Sequence, residues 1–329
     1  MIMSFSKIWQ RKVISSVKST DDGGFTLLEL LVAVIISGLV VSGLLYLVVE
    51  LLRIDNRETA LEEVQRDTRR AMNYMADDLR EAVYVYSTPT TVTSTAITGV
   101  GSALPTGATP ILAFWRIQPI SQDQMPGVCS TAFTGTAEDT CDALKIRRSA
   151  YELVVYSQHQ GPTAPWEGPS RISRYSLSQY EDASQLIETP GYVDPGLQLS
   201  SFEGWEADTA DPVQPGGAAV LVDYIDKIGT SSNAVKCEDW IPDSNPGDYF
   251  LSPPGAPEDS SFFACVRDTD SETQQDLQIA RSNQDVYIFL RGDASARSAS
   301  IAPASEISRS PMLQTQVLIR GVVNKNPTD

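Results

Sequence analysis

Gly23-Gly24-Phe25-Thr26-Leu27-Leu28-Glu29 leads directly into LLVAVIISGLVVSGLLYLVV at residues 30–49, twenty consecutive positions without a charged side chain. A helix rises about 1.5 Å per residue, so this run spans roughly 30 Å, the thickness of a bilayer's hydrocarbon core. Lys7, Arg11, Lys12 and Lys18 lie on its N-terminal side and outweigh Asp21 and Asp22. That asymmetry places residues 1–24 in the cytoplasm and the bulk of the chain outside it. An ordinary secretory signal has a shorter apolar region, about 7 to 15 residues, with a small-residue cut site behind it. Here Glu50 and Arg53 instead open a long helical pattern. Glu29 is the residue a simple anchor does not explain. A carboxylate on an apolar helix costs about 2 to 3 kcal/mol toward mid-bilayer, so it needs an interfacial position or a cation. Cutting the chain after Gly24 would supply one, the α-amino group of Phe25, four residues from the Glu29 carboxylate.

Composition sharpens the division. Residues 1–24 hold four bases and two acids, residues 25–86 six and ten, and residues 87–329 the remaining 15 and 30, so the net charge of -17 divides as +2, -4 and -15. A chain this acidic is a poor partner for phosphate backbones, and no nucleic acid is expected. With 42% hydrophobic residues it has ample material for a core, and collagenous, disordered and disulfide-dense classes are excluded.

The segment GGFTLLELLVAVIISGLVVSGLL resembles the N-terminal cleavage and methylation segment of type IV prepilins and of the pseudopilins of type II secretion. The resemblance implies that a membrane-embedded prepilin peptidase cuts after Gly24, that Phe25 becomes the methylated N-terminus, and that Glu29 guides docking into a filament by pairing with a neighbour's terminal amine. It further implies other pilins or pseudopilins and an inner-membrane assembly platform as partners. The expected location is the inner membrane, single-pass with the head outside the cytoplasm, and then a pilus or periplasmic pseudopilus. The mid-helix proline of major pilins is absent; Gly38 and Gly43 are the weak points of the stem.

Beyond Glu50, Leu61, Val64, Thr68, Met72, Met75, Leu79 and Val83 recur at three- and four-residue steps, one stripe of a helix. Charged residues fill the remaining faces, with pairs such as Glu62 and Arg66 at i, i+4. No Gly or Pro interrupts residues 44–88, so the helix is predicted to run from Phe25 to about Tyr86. A juxtamembrane coiled coil is the plain alternative, but the stripe is short for a heptad seam. The domains are thus a leader (1–24), a transmembrane or filament-core helix (25–52), its amphipathic continuation (53–86) and an acidic, β-rich head (87–329). Strands are expected at residues 111–117, 151–157, 171–177, 219–225, 286–291 and 314–323. Pro- and Gly-rich insertions separate them at 160–170, 189–217 and 238–257. The fold class is α+β, a long N-terminal helix packed on an antiparallel sheet. The strand order, with SRISRYSL and VLVDYI, is similar to PilW-type minor pilins.

Cys129, Cys141, Cys237 and Cys265 all fall outside the cytoplasm, where an even count favours disulfides. Three pairings are possible; the sequence-local one would staple two insertions. Zinc is disfavoured, since neither C-x-x-C spacing nor an accompanying His is present. Asp268, Asp270 and Glu272 place three carboxylates at alternate positions, a weak calcium candidate lacking the glycine and distal Glu of an EF-hand; no other cofactor is expected. His159, the single histidine, reads as a solvated residue at a strand end. Without G-x-S-x-G, a P-loop or a dinucleotide glycine fingerprint, no enzyme is expected. Arg291-Gly292-Asp293 matches an adhesion tripeptide but reads as a strand exit. The function these features support is a structural minor pilin or pseudopilin acting in assembly, in initiation or at the tip. The alternatives are a membrane-tethered adhesin or binding module, and a pseudopilin of a polysaccharide secretion system.

Overall fold

The computed structural model describes residues 26–87, 100, 104–198, 202, 205–208, 210–214, 217–242, 244–267, 284–298 and 310–319. Two compact units are formed, Met1–Leu52 and Arg53–Asp329. Helix α1 covers Leu27–Arg80. In its second half Ala60, Val64, Thr68, Ala71, Met72, Met75, Ala76 and Leu79 are buried, the three- and four-residue spacing of one helical face. The helix ends at Arg80, earlier than the sequence reading placed it. Residues 82–86 are rich in Val and Tyr, which suit a pleated surface better than a helix. They form strand β1 (Ala82–Val85), antiparallel to β2 (Thr109–Pro119). Tyr86 follows, its hydroxyl accepting from Trp115 Nε1 at 2.9 Å and donating to the Phe202 carbonyl at 2.9 Å.

The remaining strands are β3 (Ser149–Gln160), β4 (Ser170–Ser178), β5 (Tyr180–Asp182), β6 (Ile187–Glu188), β7 (Ala219–Ile225), β8 (Tyr249–Ser252), β9 (Phe262–Arg267), β10 (Gln284–Leu290) and β11 (Leu313–Ile319). They make a five-stranded sheet in the order β1-β2-β3-β4-β7, a four-stranded sheet β11-β10-β9-β8 and the small hairpin β5-β6, with antiparallel pairing throughout. All six expected strands are therefore present, and the α+β class holds, with the head divided between two main sheets.

Period-two alternation explains how both faces of each sheet are covered. Along β3, Val154 and Tyr156 join Met75 and Leu79 of α1, while Leu153 and Val155 face the opposite way. Along β9, Phe262, Ala264 and Val266 turn to that same helix-centred core, and Phe263 and Cys265 turn away. The outward faces are sealed by the insertions. Residues 189–217 supply Tyr192, Phe202, Trp205 and Val213 against Trp115 and Tyr175. Trp205 is buried edge-on to Trp115, ring centroids 5.2 Å apart, and its indole N–H donates to the Val193 carbonyl at 2.7 Å. Residues 235–256 supply Val235, Cys237, Ile241 and Ala256 against Phe263 and Phe289, with Trp240 edge-on to both rings.

Both disulfides secure such additions. Cys237–Cys265 ties the second insertion to β9, and Cys129–Cys141 ties the short helix α2 (Cys129–Ala132) to α3 (Thr136–Arg147). A disulfide closing a loop of this kind contributes about 2 to 4 kcal/mol.

Candidate functional site

The N-terminal end of α1 is the segment with functional character. Thr26 caps it: the Glu29 N–H donates to the Thr26 hydroxyl at 3.3 Å, and the Leu30 N–H to the Thr26 carbonyl at 3.2 Å. Thr-Leu-Leu-Glu has the spacing of a capping box, and Glu29 stands in the first turn, where the positive end of the helix dipole favours a carboxylate. Thr26 is the residue that sequence reading missed here, although T-x-x-E before an apolar run is its signature. Gly24 and Phe25 lie outside the described residues.

From Thr26 to Asn56 every residue is exposed. Leu27 is 87% exposed, Leu39 70% and Tyr46 69%. At about 25 cal/mol per Å² of apolar surface each large side chain of this row leaves on the order of 1 kcal/mol or more of burial unrealised, tens of kcal/mol over the whole run. Single exposed leucines are ordinary, whereas a continuous apolar surface marks contact with a membrane or another chain. Gly38 and Gly43 have nothing within 4 Å of an added Cβ. Each costs about 1 kcal/mol relative to alanine in a helix, and no contact among the described residues accounts for them. Close approach of a second helix would. Ser37 is satisfied locally, donating to the Val34 carbonyl at 3.0 Å. Among the described residues, α1 is the helix long and apolar enough to cross a membrane.

Within the head, α1 is held to the five-stranded sheet by a charge cluster that also escaped sequence reading. Asp78 lies on the buried stripe, 6% exposed. Arg116 Nη1 reaches its Oδ1 at 3.0 Å, and Arg174 Nε and the Tyr156 hydroxyl reach its Oδ2 at 2.7 and 2.5 Å. Arg116 also binds Glu152 at 2.5 Å and Glu81 at 2.8 Å. Burial first, and then the Asp78 carboxylate, raise the pKa of the Tyr156 hydroxyl, which keeps it a donor. An acid at i+3 from Met75 within an apolar stripe was the visible signal.

His159 is a correction. It is buried, 3% exposed, opposite Arg171 in the β3-β4 ladder, and its Nε2 has no hydrogen-bond partner among the described residues. Burial, and then the Arg171 guanidinium, lower its pKa from the ordinary 6.5, so it is a neutral core residue and not a solvated one. Arg291-Gly292-Asp293 is likewise committed internally. Arg291 binds Asp226 at 3.0 Å and the Asp259 carbonyl at 2.8 Å, while Asp293 is buried and its N–H donates to the Tyr224 carbonyl at 2.8 Å. Gly292 passes so close to α1 that an added Cβ would meet Val64 Cγ1 at 2.6 Å and Thr68 Oγ1 at 2.7 Å. Asp268, Asp270 and Glu272 lie outside the described residues, as do residues 320–323 of the final expected strand.

Residues 20–45 match the family model of the prokaryotic N-terminal methylation motif. No curated protein and no solved structure matches the chain. The motif indicates a precursor of the type IV pilin or pseudopilin type, and the long apolar helix followed by an antiparallel head fits that architecture. Proteins with this motif are structural subunits and not enzymes, and they interact in general with other pilin subunits and with a prepilin peptidase. Helix and motif together fit a precursor anchored in the inner membrane.

Proposed function

We propose that this chain is a minor pilin or pseudopilin of PilW-like type, cut between Gly24 and Phe25, methylated on Phe25 and inserted with its acidic head outside the cytoplasm. Glu29 then pairs with the terminal amine of a neighbouring subunit and sets register. The apolar segment 25–52 passes from bilayer to filament core, 53–86 links it to the head, and the head 87–329 acts in initiation or at the tip. The observation that carries this reading is the capped, exposed apolar run, with two glycines that no contact among the described residues requires. The PilW-like assignment rests on the sequence resemblance of the SRISRYSL and VLVDYI segments, which lie in β4 and β7. Substitution separates the steps. Gly24→Ala leaves the precursor uncut, whereas Glu29→Ala is cut normally and fails to enter filaments. A Glu29→Ala subunit that still assembles would remove Glu29 from the mechanism.

A further inference from the structure

We propose that the outer edge of β7 is a docking site for an extended, basic segment of another polypeptide, added to the sheet as a further strand. β7 ends the five-stranded sheet, and over residues 219–223 it pairs with β4 alone among the described residues. Beside it runs a cleft of about 640 Å³ whose far wall is α1, with Tyr74 and Trp166 partly exposed at its sides. Val220, Leu221, Val222, Asp223 and Tyr224 line this cleft in unbroken succession. Leu221 and Val222 both pack toward the helix-side core, as the register shifts of a bulged strand allow, so the cleft takes in these side chains beside the strand that ends the sheet.

The edge is already used at one end. The Asp293 N–H donates to the Tyr224 carbonyl at 2.8 Å and the Asp226 N–H to the Arg291 carbonyl at 3.1 Å, making an antiparallel bridge between Ile225 and Gly292. The chain then turns into the short helix Ser295–Ser298. Residues 219–223 have no strand on that side among the described residues. Tyr224, at φ 60°, is a non-glycine residue in the left-handed region, where the chain changes direction between the paired and unpaired parts of the edge.

Charge selects the occupant. Asp67, Glu167 and Asp223 line the cleft against Arg70 and Arg297. Both arginines face carboxylates already, Arg70 Asp67 at 3.8 Å and Arg297 Glu63 at 3.2 Å. The surplus is acidic, so a segment carrying Lys or Arg fits, with main-chain hydrogen bonds supplying affinity and the flanking side chains specificity. Two register shifts against β4 make β7 irregular, and bulges of this kind oppose indiscriminate edge-to-edge pairing between copies. This inference is independent of the role given to the stem.

The test uses the full chain in detergent and an acetylated decapeptide of alternating valine and lysine, beside a control of the same charge with prolines at two central valines. Expected is slowed hydrogen exchange confined to the amides of 219–223 with the first peptide and none with the second. Asp67→Lys combined with Glu167→Lys weakens binding about tenfold or more. Equal binding of the proline peptide, or unchanged exchange in 219–223, would overturn the proposal. So would protection of these amides by maltohexaose but not by the peptide, which would make the cleft a glycan site.

Discussion

Residues 27–52 and the buried stripe of residues 60–79 belong to one helix, yet every side chain of the first is exposed, while in the second Ala71 to Leu79 lie in a core shared by two sheets and Ala60 and Val64 pack against Ala294. Hydrophobicity alone does not distinguish them; its arrangement does. The second run is apolar on one face and charged on the others, so it is satisfied by its own head. Between Leu30 and Val49 the first is apolar all round, a surface suited to lipid or to other chains.

The comparison can be broken most severely by truncating matched large side chains. Trp205→Ala should lower the stability of the head by about 3 to 5 kcal/mol, because the ring is buried and hydrogen-bonded. Leu39→Ala should change the unfolding free energy of the detergent-solubilised monomer by no more than about 0.5 kcal/mol, since the side chain is 70% exposed. Denaturant titration of both variants measures this, and a large loss from Leu39→Ala would mean that the stem is packed within the monomer.

A charge removed from each region gives the next effect. Asp78→Ala strips the shared partner from Arg116 and Arg174, and a loss of about 3 kcal/mol is expected, the low end for a broken buried pair because Glu152 remains. Glu29→Ala should leave head stability unchanged and act on assembly instead. Glycines provide the third contrast. Gly292→Ala drives a Cβ into Val64 and Thr68 and should cost about 1 to 3 kcal/mol. Gly38→Ala should stabilise the monomer by up to about 1 kcal/mol while weakening filament packing. Thermal melts beside filament yields separate these outcomes.

The smallest effect concerns pH. His159 has a lowered folded pKa, so the unfolded chain takes up its proton first as pH falls. Its contribution is fully present above the unfolded value near 6.5 and is lost below it as pH falls through the folded pKa. His159→Gln should flatten the fall of melting temperature in that window without altering the plateau above it.

Much of this was legible in the chain. The helix, the strands at β2, β3, β4, β7, β10 and β11, and the division into stem and head follow from periodicity, because each is a local pattern long enough to read. β9 escaped notice although Phe262-Phe263-Ala264-Cys265-Val266 is continuously apolar; buried on both faces, it shows no alternation. β1 was absorbed into the helix because no glycine or proline separates them, and pairing with β2 decides the matter only in three dimensions. The burial of His159 depends on packing that a single strand does not reveal. At the site, Glu29 stands out as an acid beside an apolar run, whereas Asp78, an equally anomalous acid on the stripe, is masked by its charged neighbours Asp77, Arg80 and Glu81.

The most direct measurement is the intact mass of the mature protein's N-terminal peptide. A chain beginning at Phe25 with one added methyl group is predicted. A chain retaining residues 1–24, or one cut beyond the apolar run after residue 52, would contradict the assembly reading.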